Sequence, residues 1–313
     1  MLLFLLRRMF ATLPVLVIVA LIVFLMLRLA PGDPAAAILG DNASAAVAQS
    51  VRESMGLADS VPVQFMRWGH RLLQGDLGES FFLKQKVSTL IAQRLEPTLA
   101  LAGVTLLWTI MVAVPIGVLA AWRHGSLLDR LLMGFSVMGF SVPAFVIGYV
   151  LIWAFAVQVG WFPVQGYARL EHGFFPWLRH LVLPSVTLSI IYVALIARVT
   201  RAAVAEALTE DYVRTARAKG IGEFSVLLRH ALPNAAIPIV TVIGIGIALL
   251  IGGVVVTETV FAIPGLGQLT VDAVLSRDYP VIQAITLFFA FAYVLINLLV
   301  DLSYLLLDPR IRY

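Results

Sequence analysis

A loop that cradles phosphate needs a lysine directly after a glycine, so that backbone wraps the phosphate while the ammonium reaches it. This chain has three lysines, Lys84, Lys86 and Lys219, and none follows a glycine. It has no cysteine, which removes disulfides, thiolate metal sites and thiol nucleophiles together. Its five histidines (His70, His124, His172, His180 and His230) are scattered, without the His-Glu-x-x-His pattern of zinc hydrolysis. Serine chemistry would need a base near Ser136 or Ser141, and His180 is the one loose candidate. The chain therefore reads as a non-enzyme, with no catalytic residues, no metal and no bound cofactor. What remains is a basic run, Asp211-Tyr212-Val213-Arg214-Thr215-Ala216-Arg217-Ala218-Lys219-Gly220, with Leu232-Pro233 further on. Such residues can grip another protein but cannot transform a substrate.

The elements that position this run follow from composition. Hydrophobic residues make up 61% of the 313 and charged residues 13%, against roughly 25% charged in a soluble domain. So much apolar surface needs lipid as its solvent. A span takes about 20 mostly apolar residues, and six stretches qualify: 10–29, 97–122, 131–159, 181–197, 235–257 and 281–307. Arg7 and Arg8 precede the first, but its apolar run is longer than that of a signal peptide and no small-x-small site follows, so it reads as a retained span. With the N-terminus inside, the inner segments carry twelve Arg and Lys, from Arg7 to Arg312. The two short outer loops carry only Arg169, Arg179 and Arg277. This imbalance puts both termini inside. The net charge of +4 is small and spread out, so nucleic acid is not suggested as a partner.

Three of the segments outside the membrane stand out. The outer loop 31–96 starts with the helix-breaking Pro31-Gly32-Asp33-Pro34. Apolar residues then recur at helical spacing, at Val47, Val51 and Met55 and at Phe65, Trp68, Leu72 and Leu73, before a turn at Gly75-Asp76-Leu77-Gly78. This predicts a small, partly helical cap. The second outer loop, with Trp161-Phe162-Pro163 and Trp177, has the aromatic residues of a lipid interface. The inner segment 205–233 reads as a helix capped by Thr209, with Glu210 and Asp211 in its first turn, Arg217 and Lys219 in its last, and Gly220 after it. A second short helix, 223–231, is expected to end before Pro233. The domain reading is thus an N-terminal span (1–30), an outer cap (31–96) and a five-span core (97–313) containing the loop 205–233.

Within the spans, Gly139 and Pro143 form a candidate hinge, with close packing as the alternative. Ion-driven transport would place ionisable groups along a pathway inside the spans. The candidates are Arg28, Glu258 and Asp301, all near span ends and so equally readable as anchors or helix-pairing groups.

The run 211–220 with Leu232-Pro233 resembles the coupling loop of bacterial ABC importer permeases. That pattern is Glu-Ala-Ala, three residues, Gly, nine residues, Ile, one residue, Leu-Pro. Aligned on Gly220, Ala216, Leu232 and Pro233 match, while Arg214, Thr215 and His230 replace the glutamate, the first alanine and the isoleucine. These departures are typical of the branch for dipeptides, oligopeptides, glutathione and nickel. Pro31-Gly32-Asp33-Pro34, Gly75–Gly78, Phe140-Ser141-Val142-Pro143-Ala144-Phe145, Gly160-Trp161-Phe162-Pro163, Pro264-Gly265-Leu266-Gly267 and the tail from Asp308-Pro309 to Arg312-Tyr313 look like that branch too. The resemblance implies an all-α, six-span permease of the bacterial inner membrane with both termini inside. It further implies a second homologous permease, two ATP-binding subunits that carry ATP and Mg, and an external substrate-binding protein. Tyr212, Arg214, Thr215, Ala216, Arg217, Ala218, Lys219, Gly220, Leu232 and Pro233 would form the ATPase-coupling loop. Small Ala216, Ala218 and Gly220 would permit close docking, with Tyr212 and the basic side chains at the rim. An ion-coupled secondary transporter is the alternative.

Overall fold

Lipid offers no partner to a backbone N–H or C=O, so a segment crossing it must pair those groups internally, as an α-helix does. A computed structural model describes residues 2–29 and 59–307, and helices make up most of them. They are α1 (Leu2–Leu29), α2 (Val61–Leu73), α3 (Val87–Trp122), α4 (Leu127–Ser141), α5 (Ala144–Leu151), α6 (Phe174–Ala207), α7 (Asp211–Ala218), α8 (Glu223–Val226), α9 (Ala236–Val260), α10 (Leu266–Ser276) and α11 (Tyr279–Leu307). No strand occurs among the described residues; one isolated bridge pairs Glu79 with Lys86. The expected features at Pro31-Gly32-Asp33-Pro34, at Val47, Val51 and Met55, and in the tail from Asp308 to Tyr313 lie outside the described residues.

Among the described residues, four helices are long and apolar enough to cross a membrane: Val87–Trp122, Phe174–Ala207, Ala236–Val260 and Tyr279–Tyr304. Phe10–Met26 and Ala144–Gln158 are shorter apolar helices. The stretch 131–159 is not the single helical run that its composition suggests. α4 ends at Ser141, Val142 is extended (φ −102°, ψ 126°), and Pro143 (φ −58°) opens α5. The proline ring crowds the residue before it out of helical geometry. α5 then widens into a π-helical turn, Ile152–Gln158. A second departure is α10, a helix where the sequence suggested only a loop after Pro264-Gly265-Leu266-Gly267. Its buried Leu266, Leu269 and Ala273 have helical spacing.

The described residues fall into two compact units, one drawn from Met1–Glu96 and Leu269–Val294, the other from Pro97–Gln268 and Leu295–Tyr313. In the first, buried Phe24 of α1 meets the rings of Phe65 and Trp68 on α2, with centroids 5.1 and 5.5 Å away. Phe65 and Trp68 are two of the four apolar positions whose spacing predicted a helix here; Leu73, another of them, is exposed. Gly75 and Gly78 both take positive φ, and the Gly78 N–H donates to Asp76 Oδ1 at 2.9 Å, which makes the expected turn. Buried Asp278, just before α11, accepts from Ser80 Oγ and from the N–H groups of Phe81 (3.2 Å) and Phe82 (3.4 Å). Residues 80–82 are thereby pinned to the start of α11.

The second unit has an apolar core that includes Leu101, Leu181, Leu188, Ile196, Val254, Phe261 and Ile263. Small residues let its helices approach. A Cβ on Gly117 of α3 would lie 2.6 Å from both the Ala197 carbonyl oxygen and Thr200 Cβ of α6. A Cβ on Gly244 of α9 would collide with Val300 of α11, and one on Gly253 would come within 2.7 Å of Leu188 Cδ1.

The α3–α6 contact yields a test. Gly117→Val should destabilise the protein by about 1–3 kcal/mol, because a backbone carbonyl cannot move aside cheaply. Gly103→Ala, on the same helix with nothing within 4 Å, should cost nothing. Thermal unfolding of both variants in detergent checks this, and equal midpoints would show that α3 and α6 do not meet at Gly117.

Candidate functional site

The connection between α6 and α9 contains every residue of the predicted coupling run. Thr209 does not cap α7, because its Oγ1 donates back to the Glu206 carbonyl at 2.7 Å and so closes α6. Glu210 occupies the N-cap position with extended backbone, and Asp211 sits in the first turn, where the helix dipole favours an anion. Thr215 Oγ1 donates to the Asp211 carbonyl at 3.0 Å.

The other end of α7 is closed by a paired backbone device. The Gly220 N–H donates to Arg217 O (2.9 Å) and the Ile221 N–H to Ala216 O (3.2 Å), with Gly220 at φ +78°. This is the Schellman closure, which occupies carbonyls that a helix end otherwise leaves unpaired. Its usual apolar contact is present, since Ile221 packs with Val213, Ala216 and Val226. Across the turn, Arg217 Nε and Nη2 donate to Glu223 Oε1 and Oε2 at 2.8 and 3.1 Å. That pair is exposed, worth at most about 1 kcal/mol, but it fixes α7 against α8.

Burial sorts the predicted residues into two faces. Tyr212, Arg214, Thr215, Arg217, Ala218, Lys219 and Gly220 are exposed. Ala216 is not: it is buried beside Val213, so its small size serves internal packing rather than docking. The Tyr212 phenol is pushed above its ordinary pKa by partial burial and by nearby Glu210.

Nor does the second arm stop before Pro233. After α8 comes a π-helical turn, Leu227–Ala231, then a short α-turn, Leu232–Asn234, leading almost directly into α9. Proline brings no N–H to the helix, and the wider π turn accommodates it. Asn234 Nδ2 also donates to the His230 carbonyl at 2.7 Å. Leu227, Ala231 and Ala235 are buried in one cluster with Val118 and Ala121 of α3 and Val204 and Ala207 of α6. The segment is therefore wedged among the ends of three long helices.

An ion pair with a buried carboxylate lies near this wedge. Asp129, 2% exposed in the first turn of α4, accepts from Arg201 Nε at 2.5 Å, from Arg201 Nη2 at 2.6 Å and from the Gly125 N–H at 2.9 Å. The Arg201 hydrogen bonds hold the Asp129 carboxyl below its ordinary value of 3.8. Its stabilising contribution is thus complete above that value and lost only as pH falls through the lowered one.

The hinge candidates separate. Gly139 is a close-approach position, where a Cβ would lie 3.1 Å from Ile190 Cγ2. Pro143 sits at the α4–α5 break. Among the ionisable candidates, the side chain of Arg28 lies outside the described residues and Asp301 is partly buried on α11. Glu258 is fully buried. It accepts from Thr98 Oγ1 (2.6 Å) and from the Gln268 N–H (3.0 Å), while the Leu266 N–H donates to Thr98 Oγ1 (2.8 Å). Glu258 and Thr98 together cap α10. This explains the glycines of Pro264-Gly265-Leu266-Gly267: a Cβ at Gly265 would fall on the Glu258 carboxylate, and one at Gly267 would come within 2.5 Å of Val255 Cα. The signal available in the sequence was one acidic residue a few positions before a glycine-rich turn. Ser136 Oγ donates to Leu132 O, and His180 Nδ1 bonds Pro176 O, so each is engaged with its own helix. No group of three metal-ligating side chains occurs among the described residues.

Known proteins resemble this chain along its whole length. Residues 113–313 match the family model described as binding-protein-dependent transport system inner membrane component, and residues 1–102 match the N-terminal model of such membrane components. A protein of Sinorhizobium fredii named as a peptide ABC transporter permease is 53% identical over 310 residues, covering 99% of each chain. A glutathione transport system permease protein of Pectobacterium atrosepticum is 45% identical, covering 100% of each. A solved structure of the MetNI methionine ABC transporter in an inward-facing conformation shares the fold, with TM-score 0.60 and 21% identity over 71% of this chain and 97% of that one.

The cap of α10 is testable directly. Glu258→Ala should lower stability by about 1.5–3 kcal/mol per lost charged hydrogen bond, and Glu258→Gln by less, because an acceptor oxygen remains. Trypsin cleavage at Arg277 should speed up in the alanine variant as α10 frays; unchanged cleavage and melting would show that the carboxylate is not the cap.

Proposed function

The chain belongs to the family of binding-protein-dependent transport system inner membrane components and is an ABC importer permease of the bacterial inner membrane; from that premise we propose that α7 with its Gly220 turn is the surface on which an ATPase subunit acts. The observation that carries this reading is how the segment is held. α7 is closed by a Schellman turn, tied to α8 by Arg217–Glu223 and wedged through Leu227, Ala231 and Ala235 among the ends of α3, α6 and α9. A push on such a segment moves the helices behind it as rigid bodies rather than being absorbed in slack loop. Tyr212, Arg214, Thr215, Arg217, Ala218, Lys219 and Gly220 supply the exposed face, while Leu232 and Pro233 belong to the return arm.

The six-span topology with both termini inside is part of the proposal. It is supported by the four long apolar helices, the two shorter ones and the distribution of Arg and Lys. The segment at 31–96 is then an outer cap. A second homologous permease would complete the pathway, two ATP-binding subunits would carry ATP and Mg, and an external binding protein would deliver the solute. Relatives named for peptide and for glutathione transport make a peptide or a peptide-like small solute the proposed cargo.

Gentle detergent extraction from the native host, followed by mass spectrometry and an ATPase assay, tests the assembly. A second permease and ATP-binding subunits should co-purify, with vanadate-sensitive hydrolysis; a chain that purifies alone would refute it. The coupling role is tested by Gly220→Val. Nothing in the chain itself lies within 4 Å of the new Cβ, so within the chain the effect is conformational, a strain of about 1–3 kcal/mol at positive φ, while the added side chain also stands on the docking face. The variant should insert and assemble normally, yet fail to link hydrolysis to uptake of labelled dipeptides, tripeptides and glutathione in proteoliposomes. Wild-type uptake per ATP would rule the role out.

A further inference from the structure

α4 takes no part in the apolar clusters behind α7. The apolar clusters around α7 and its return arm use residues of α3, α6 and α9, and none of their described members comes from α4. α4 instead packs along α6, closely where Gly139 approaches Ile190, and is joined to it near the α7 end by the pair of Asp129 with Arg201. Arg201 lies in the last two turns of α6, directly ahead of α7, and Asp129 lies in the first turn of α4.

We propose that the Asp129–Arg201 pair is the joint through which movement of the α7 segment is delivered to α4. The inference rests on the coupling role of α7. Two parallel N–H···O bonds fix the relative orientation of the partners as well as their distance. The Gly125 N–H holds the carboxylate from the far side, and Ser126 Oγ accepts from the Asp129 N–H at 3.3 Å, so the anchor cannot swing within its own loop. Separating the partners would leave the buried Asp129 carboxylate without its arginine, which disfavours opening of the joint during a stroke. Beyond the Val142–Pro143 break, α5 packs on an earlier stretch of α6 and on the end of α9, with Gly148 against Thr187, Val260 and Phe261. The helical run is interrupted between them, so α4 can turn relative to α5. In this proposal Asp129 and Arg201 are positioning residues.

The whole complex with its ATPase subunits, in lipid nanodiscs, provides the test. Because the chain has no cysteine, nitroxide labels can be placed at Leu131→Cys on α4 and Ala202→Cys on α6, both exposed positions. Pulsed electron resonance then reads the distance between them, nucleotide-free and trapped with vanadate. With the pair intact, one narrow distance should persist through both states. In Asp129→Asn it should shift or broaden on trapping while ATP hydrolysis continues, which a merely stabilising pair would not cause. Arg201→Lys keeps the charge but loses the fork and should show the same broadening, so it covers the case in which Asp129→Asn does not assemble. A narrow, unchanged distance in either assembled variant overturns the joint, and failure of both to assemble would assign the pair to folding alone. Should Gly220→Val uncouple while these variants keep the distance, the joint alone fails. Should Gly220→Val transport normally, the coupling reading itself has failed.

Discussion

A helix end or tight turn leaves backbone N–H groups that the helix itself cannot pair, and at three places this protein supplies them with a buried carboxylate. Asp129, Glu258 and Asp278 are each 3% exposed or less. Each accepts from backbone N–H: Asp129 from Gly125, Glu258 from Gln268, and Asp278 from Phe81 and Phe82. A carboxylate makes a strong acceptor in a low-dielectric setting, and several donors offset the cost of burying its charge. The turn at 125–126, the start of α10 and the segment 80–82 all depend on these three side chains.

With its ends secured, the second unit packs through small residues. Gly117, Gly148, Gly244 and Gly253 sit where a side chain would meet a neighbouring helix. Close approach of this kind is how helices associate where the surrounding solvent is as apolar as their own side chains. Large apolar residues such as Leu107, Met111 and Leu119 of α3 are left on the outside of the chain, as suits a protein whose solvent is lipid.

The α7 segment follows the opposite rule. It is polar outside and apolar inside over barely two turns, too short to be stable as an isolated helix. Its persistence comes from Val213, Ala216 and Val226 behind it and from the Schellman turn at its end. The same features that let so short a helix exist make it stiff, which is the property a transmitter of force requires. The Asp129–Arg201 pair extends that stiffness toward α4 without using apolar surface.

Composition and spacing determined much of this protein. Runs of apolar residues placed most of the long helices, since lipid admits little else. Gly220 after a basic turn marked the end of α7, because left-handed backbone favours glycine, and the spacing to Leu232-Pro233 identified the segment. Phe65 and Trp68 at helical spacing found the cap helix. Only the tertiary structure decided the break at Val142–Pro143, the passage of helix through Pro233, the inward face of Ala216 and the capping role of Glu258. The capping role of Glu258 and the pairing of Asp129 depend on partners distant in the chain, Thr98 and Arg201. Local pattern fixes what a segment prefers, but a buried polar group is defined by what it meets, and that is set when the helices pack.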